Sequence, residues 1–270
     1  MKKVFILSLL AICLATQVMA QKTYVLLTAV SNYSNSANPD SNDLRGSTND
    51  AKELKKVFDK QKNTTVALLT GKNANKENIV QKIAAILELA KPEDKIIFFF
   101  SGHGALPGIY KDGLLVEKPS IVIKNGQKDD ALSYDELYAL FSTAKTKNVV
   151  VMIDACHSGC AKFAYERIKD EPGVKPLFIT SSRGDEKSQD GISLKNDYET
   201  FLGNGFFTKA LLKALRGKAD ANHDKQLTVE EVFKYVYNDV QRHMQPLTGE
   251  EQHPMLIGPG SLRKLVLTKW

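Results

Sequence analysis

DKIIFFFSGHG, residues 94–104, and NVVVMIDACHSG, residues 148–159, each run a string of Ile, Phe, Val and Met into small and polar residues. Continuous apolar β-formers that stop at Gly, Ser or Asp read as strands buried on both faces of a parallel sheet. In an open α/β sheet the functional crevice lies beyond the carboxyl ends of such strands. The first run ends on Ser101, Gly102, His103 and Gly104, the second on Asp154, Ala155, Cys156, His157, Ser158 and Gly159. A histidine and a cysteine at two neighbouring strand ends are placed to act as base and nucleophile.

Working outward, further strands are expected over 24–30, 65–69 and 176–180, with a last strand-like run over 264–268. Between them, 49–60 carries Ala51, Leu54, Val57 and Phe58 on one helical face, and 76–90 carries Ile79, Ile83, Ile86 and Leu87. These serve as crossovers of a parallel sheet. Residues 108–125 alternate around Lys111-Asp112-Gly113 and read as one hairpin inserted after the His-bearing strand. Two more helices are expected over 204–215 and 228–244, after a polar loop that follows Thr180. The class is α/β: a mostly parallel central sheet flanked by helices, with an inserted β-hairpin.

Residues 1–20 have the pattern of a secretory signal peptide: Lys2 and Lys3, an apolar run over 4–15, and Val18-Met19-Ala20 before the cut. The apolar run is too short for a permanent span. Export to the periplasm or the medium is the expectation, with residues 21–270 as one domain. Loss of Lys2 and Lys3 lowers the formal charge from +6 to +4, and the basic residues form no stripe, so nucleic acid is not expected as a partner. Cys156 and Cys160 are the cysteines left after processing, which excludes a disulfide scaffold.

A thiol with an ordinary pKa near 8.5 is mostly protonated at neutral pH, so a working Cys156 needs a base. His103 is the candidate; His157 follows the cysteine directly and is expected to diverge from the sulfur. The backbone N–H groups of Gly104 and Cys156 lie at the two loop starts, where they can converge as an oxyanion hole. Two other readings stay open. His103 and Cys156 are then ordinary strand-end residues, or they form a zinc site with His157 and Cys160, although Cys-x3-Cys without a second pair falls short of structural zinc signatures.

The SGHG and D-A-C-H-S-G motifs, in that order, resemble those of the caspase-like cysteine peptidases, and the metacaspase branch in particular. Leu44-Arg45-Gly46-Ser47-Thr48-Asn49-Asp50-Ala51, Phe178-Ile179-Thr180-Ser181-Ser182 and Gly205-Phe206-Phe207-Thr208 extend the resemblance over most of residues 24–237. It implies the caspase-like α/β/α fold, with a large-subunit-like part over 21–160 and a small-subunit-like part over 175–270. It implies a dyad of His103 as general base and Cys156 as nucleophile. It also implies an S1 pocket, the pocket for the residue before the cut bond (P1), built from Asp154, Asp50 and Ser101, with Ser47 where metacaspases usually have Cys. Asp154 lies two residues before Cys156, so strand alternation puts both on one side of the sheet. Two buried carboxylates select a cation, so Arg or Lys at P1 is expected. The expected partners are protein substrates, and the expected state is a monomer. Asn-specific legumain-like peptidases or ligases share an SGHG-like strand and are the alternative enzyme. A catalytically silent, calcium-responsive binding module is the alternative of another class.

Calcium enters through residues 220–231, where Asp220, Asn222, Asp224, Gln226, Thr228 and Glu231 have EF-hand spacing but Lys225 replaces the usual Gly. The competing reading is a polar loop with Thr228 and Glu231 as a capping box. No cofactor is needed for the thiol chemistry itself. The metacaspase calcium site would fall near Leu132-Ser133-Tyr134-Asp135-Glu136-Leu137, with Tyr134 at one acidic position and Asp129 and Asp130 nearby. Self-cleavage of the kind seen in relatives would use Lys162, Arg167, Lys169, Arg183 or Lys187.

Overall fold

The computed structural model describes residues 20–33, 43–44, 46–106, 108–111, 114–125, 128–189 and 203–269. Most of the expected leader lies outside them. Strands β1 (Thr23–Ala29), β2 (Thr64–Thr70), β3 (Lys95–Ser101), β9 (Asn148–Asp154), β10 (Leu177–Thr180) and β12 (Met255–Ile257) form a six-stranded sheet in the order β12-β10-β9-β3-β1-β2. The β10–β12 pair is antiparallel and the others are parallel. The class expected from the sequence is the class observed.

Alternation along β3 explains why its sequence is apolar throughout. Ile97 and Phe99 face a core shared with Ala51, Leu54, Phe207 and Val232. Ile96, Phe98 and Phe100 face a second core shared with Ile79, Ile83, Leu137 and Phe141. Helices α1 (Ser47–Phe58), α5 (Phe206–Lys213) and α6 (Val229–Thr248) cover the first face, and α2 (Lys76–Leu89), α3 (Tyr134–Ser142) and α4 (Ala161–Ile168) the second. A strand packed on both sides has no solvent face to mark with polar residues.

The inserted hairpin differs from its expected form. Five short strands after β3 build two small ladders: β5 (Gly108–Lys111) pairs with β6 (Leu114–Glu117), while β7 (Ser120–Asn125) pairs with both β4 (Gly104–Ala105) and β8 (Lys128–Ser133). Pro119 between β6 and β7 has no N–H for a ladder and divides the two. The last strand, β13 (Val266–Lys269), joins β11 (Gln226–Thr228) in a separate antiparallel pair.

Glu136 closes the first turn of α3. Its Oε2 accepts from the N–H (2.9 Å) and Oγ (2.6 Å) of Ser133, and its Oε1 from Lys76 Nζ at 2.9 Å. Asp135 pairs with Arg167 at 2.6 Å. The acids of this stretch are thus engaged in capping and surface pairing.

Lys95, the first residue of β3, is only 6 % exposed. Burial, with the Lys269 charge adding to it, pushes its ammonium down to about 8 from 10.5. Below pH 8 the folded protein therefore carries a buried charge that the unfolded chain solvates. Between pH 8 and 10.5 the unfolded state holds the proton that the folded state has lost, so stability rises with pH across that window. Lys95→Met should raise stability at pH 7 by up to about 3 kcal/mol. Thermal melts of both proteins should show the gap closing between pH 8 and 10.5; a gap independent of pH would refute the buried charge as its source.

Candidate active site

Parallel pairing of β3 with β9 places Ser101 opposite Asp154, so the SGHG and ACHSG loops leave the sheet side by side. The Gly102 N–H donates to the Asp154 carbonyl at 3.1 Å, tying the two strand ends together. At Gly104 a Cβ would stand 1.9 Å from the Cys156 carbonyl oxygen, a close approach that glycine alone allows. His103 and Cys156 both line a cavity of about 200 Å³, with Ser47, Asp50, Ser101 and Asp154. That is smaller than a whole small-molecule site and in keeping with one side chain.

The cysteine loop is pinned from below. Ser181 Oγ accepts from the Ala155 N–H and donates to the Ala155 carbonyl, both at 3.1 Å, and lies 3.3 Å from Ser158 Oγ. His157 sits at φ +58°, donates Nδ1–H to the Gly184 carbonyl at 2.9 Å, and receives no sulfur contact. Cys160 Sγ points to the same carbonyl at 3.5 Å. Cys156 Sγ accepts the Ser188 N–H at 3.4 Å. Burial pushes the Cys156 thiol above its ordinary value, and the Asp154 charge adds to this against the Ser188 N–H and Lys187. The resting sulfur is therefore a thiol, which is the state that needs a base.

Two carboxylates wall the other side. Asp154 is 6 % exposed and Asp50 1 %. Asp154 Oδ2 accepts from Thr208 N–H (3.1 Å) and Oγ1 (2.6 Å) in the first turn of α5, and Oδ1 from Ser188 Oγ at 2.6 Å. Asp50, in the first turn of α1, accepts from Ser101 Oγ (2.8 Å), Asn204 Nδ2 (2.7 Å) and the Gly205 N–H (3.3 Å). These neutral donors orient both carboxyl groups.

Sequence reading missed several residues that hold this arrangement. Tyr33 is buried, its ring 4.3 Å from that of His103; its Oη accepts the His103 N–H at 2.9 Å and donates to the Val122 carbonyl at 3.1 Å. Gln252, fully buried, donates to the Ser181 carbonyl (3.0 Å) and Ser188 Oγ (3.3 Å) and accepts the Gln189 N–H (3.0 Å), fixing the segment that contacts Cys156. Both lie outside any periodic segment, so only a motif centred on them would have marked them. Tyr33→Phe removes the hydroxyl link to the His103 backbone. It should cost about 1–2 kcal/mol by urea unfolding and lower kcat about tenfold with KM little changed. Unchanged kcat in a destabilised variant would leave Tyr33 a merely structural role.

In the 220–231 loop, Glu231 Oε2 accepts from Thr228 N–H (2.9 Å) and Oγ1 (2.7 Å), so the capping box forms. Asp220 Oδ2 accepts the Lys225 N–H at 3.2 Å, and Lys225 stands at φ +61°. Asp220 Oδ1 is buried without a partner. Among the described residues no three His, Cys, Asp or Glu side chains cluster as a metal site. Cys160 and His157 are turned to Gly184, which takes them away from a shared zinc position with His103. No described helix is long and apolar enough to cross a membrane.

Comparison with known proteins bears on the fold and the family. A crystal structure of the Geobacter sulfurreducens protein GSU0716 shares the fold, at 19 % identity and a TM-score of 0.62, covering 90 % of this chain and 97 % of that one. No curated protein matches. The family model described as "Caspase domain" matches residues 22–266. That span takes in both strand ends, both acidic positions and all six strands of the sheet, and the chain belongs to this caspase-like cysteine peptidase family.

Proposed function

We propose that the protein is an exported cysteine endopeptidase that cleaves after Arg or Lys, nearest within its family to the metacaspase branch. The observation that carries the reading is the single cavity lined by His103, Cys156, Asp50 and Asp154. In the reaction, His103 takes the Cys156 proton as Sγ attacks the carbonyl carbon. The Gly104 and Cys156 N–H groups hold the oxyanion. Collapse expels the amine, which receives the proton from His103, and leaves a thioester. Water, deprotonated by His103, then attacks the thioester and releases the acid product and the thiol. The P1 cation lies between Asp154 and Asp50, with Ser101 and Ser47 lining the pocket.

Calcium is a second element of the proposal, resting on the sequence spacing of Asp220, Asn222, Asp224, Gln226 and Glu231 and on the buried, unpartnered Asp220 Oδ1, while Glu231 Oε2 is engaged by Thr228. An ion bound there would supply charge balance and hold β11 to α6. Lys162 and Arg167 lie within α4, whose helical backbone does not offer the extended form a protease cuts, which leaves Lys169, Arg183 and Lys187 as the sites proposed for self-cleavage.

The test is hydrolysis of fluorogenic peptides with Arg, Lys, Asp or Asn at P1, with calcium or with chelator. Turnover of the Arg and Lys peptides is expected. Turnover of the Asn peptide alone would establish the legumain-like reading. No turnover, and no labelling by a thiol-reactive peptide, would establish a silent binding module.

A further inference from the structure

The starts of β1, β2 and β3 lie at the edge of the sheet opposite the catalytic loops, about 20 Å away by strand rise. A cleft of about 560 Å³ opens there, with Lys60, Lys62, Lys95 and Lys269 among its lining residues. An adjoining cleft shares Lys60 and Lys269 and adds Lys56 and Arg216. No acidic side chain lines either cleft among the described residues. Glu53 pairs with Lys56 and Arg216, while Lys60, Lys62 and Lys269 make no ion pair among the described residues.

Two buried groups in the lining are incompletely satisfied. Lys95, 94 % buried, spends one of its three ammonium protons on the Val266 carbonyl. Thr268, also in the lining, is 2 % exposed, and its Oγ1 has no hydrogen-bond partner. Buried cations are ordinarily paired, and here the charge acting on Lys95 is that of Lys269, which repels it.

We propose that this basic cleft binds a small ligand bearing phosphate or carboxylate groups, with Lys95 at its floor and Lys60, Lys62 and Lys269 around its mouth. An anion there neutralises the buried ammonium and relieves the repulsion between Lys95 and Lys269 together. The exposed position of Lys60, Lys62 and Lys269 gives the ligand its entry. The site stands apart from the peptidase chemistry and does not depend on it.

Isothermal titration of the full chain with pyrophosphate and, separately, with citrate at pH 7 and low ionic strength tests this. One-site saturable binding is expected, weakened at least tenfold in both Lys95→Met and Lys269→Ala and unchanged in Lys234→Ala, an exposed lysine of α6 that lines neither cleft. Lys95→Met is expected to stay folded because it removes a buried charge, and Lys269→Ala is an exposed change that keeps the test valid in either case. Preference for pyrophosphate assigns a phosphate ligand and preference for citrate a carboxylate, both supporting the site. No saturation by either probe, or equal binding by wild type and both lysine variants, would overturn it.

Discussion

Cys156→Ala is expected to abolish peptide hydrolysis, lowering kcat/KM for the proposed Arg and Lys substrates by on the order of 10⁴-fold or more, with the fold retained. The side chain lines the cavity but is absent from both apolar cores, so shortening it removes chemistry and little packing. His103→Ala should match this loss, and the double variant should be no worse, because base and nucleophile act as a unit. The direction of the Cys156 shift sharpens the expectation. A thiol held above its ordinary value by burial and by Asp154 contributes little thiolate at pH 7, so the reaction has no strong bypass around His103. Labelling by a chloromethyl ketone peptide should accordingly vanish in Cys156→Ala and slow sharply in His103→Ala, with recovery only as pH rises past the range of a free thiol. Retention of more than about one part in a hundred of the activity by Cys156→Ala would move the chemistry elsewhere. A Cys160→Ala arm would then show whether the second thiol carries it.

The parts of this fold that were legible in sequence are those where both faces of an element are buried. β3 and β9 announce themselves because neither has a solvent side, and the residues at their ends line the cavity. Short elements with mixed exposure were not legible. α4 buries only Ala161 and Ala164, too few apolar positions for a helical period to show, and three-residue β12 is recognisable only through its pairing with β10. The division of the inserted hairpin turned on Pro119, whose effect on a ladder depends on which neighbours the strand finds. In the site, His103 and Cys156 were visible because their residue types are chemically marked, and the two aspartates only through the resemblance to the family's pocket. Tyr33, Ser188 and Gln252 were not, since a buried hydroxyl or amide reveals its role only when its partners across 32 to 89 residues of chain are known.

Charge selection at P1 is the second large effect, and it can be read without touching the protein. A peptide with citrulline in place of Arg at P1 keeps the length and planar shape of the side chain and loses its cation. If Asp50 and Asp154 select by charge, kcat/KM should fall about 10²–10³-fold, the loss of one or two desolvated charge-assisted contacts. The substitution on the enzyme side carries more structural risk. Asp154→Asn can keep its amide oxygen on Thr208 only by turning its NH₂ to Ser188 Oγ, which must then accept where it donated while already accepting from Gln252. Asp50→Asn meets the same constraint at Ser101, Asn204 and Gly205. Each variant should therefore lose stability as well as activity against Arg, yet its discrimination between Arg and citrulline, a ratio taken within one preparation, should collapse toward unity. A variant that is slow but still prefers Arg by the wild-type factor would show that these carboxylates only position α5 and α1, and that the specificity is set by another wall of the cavity.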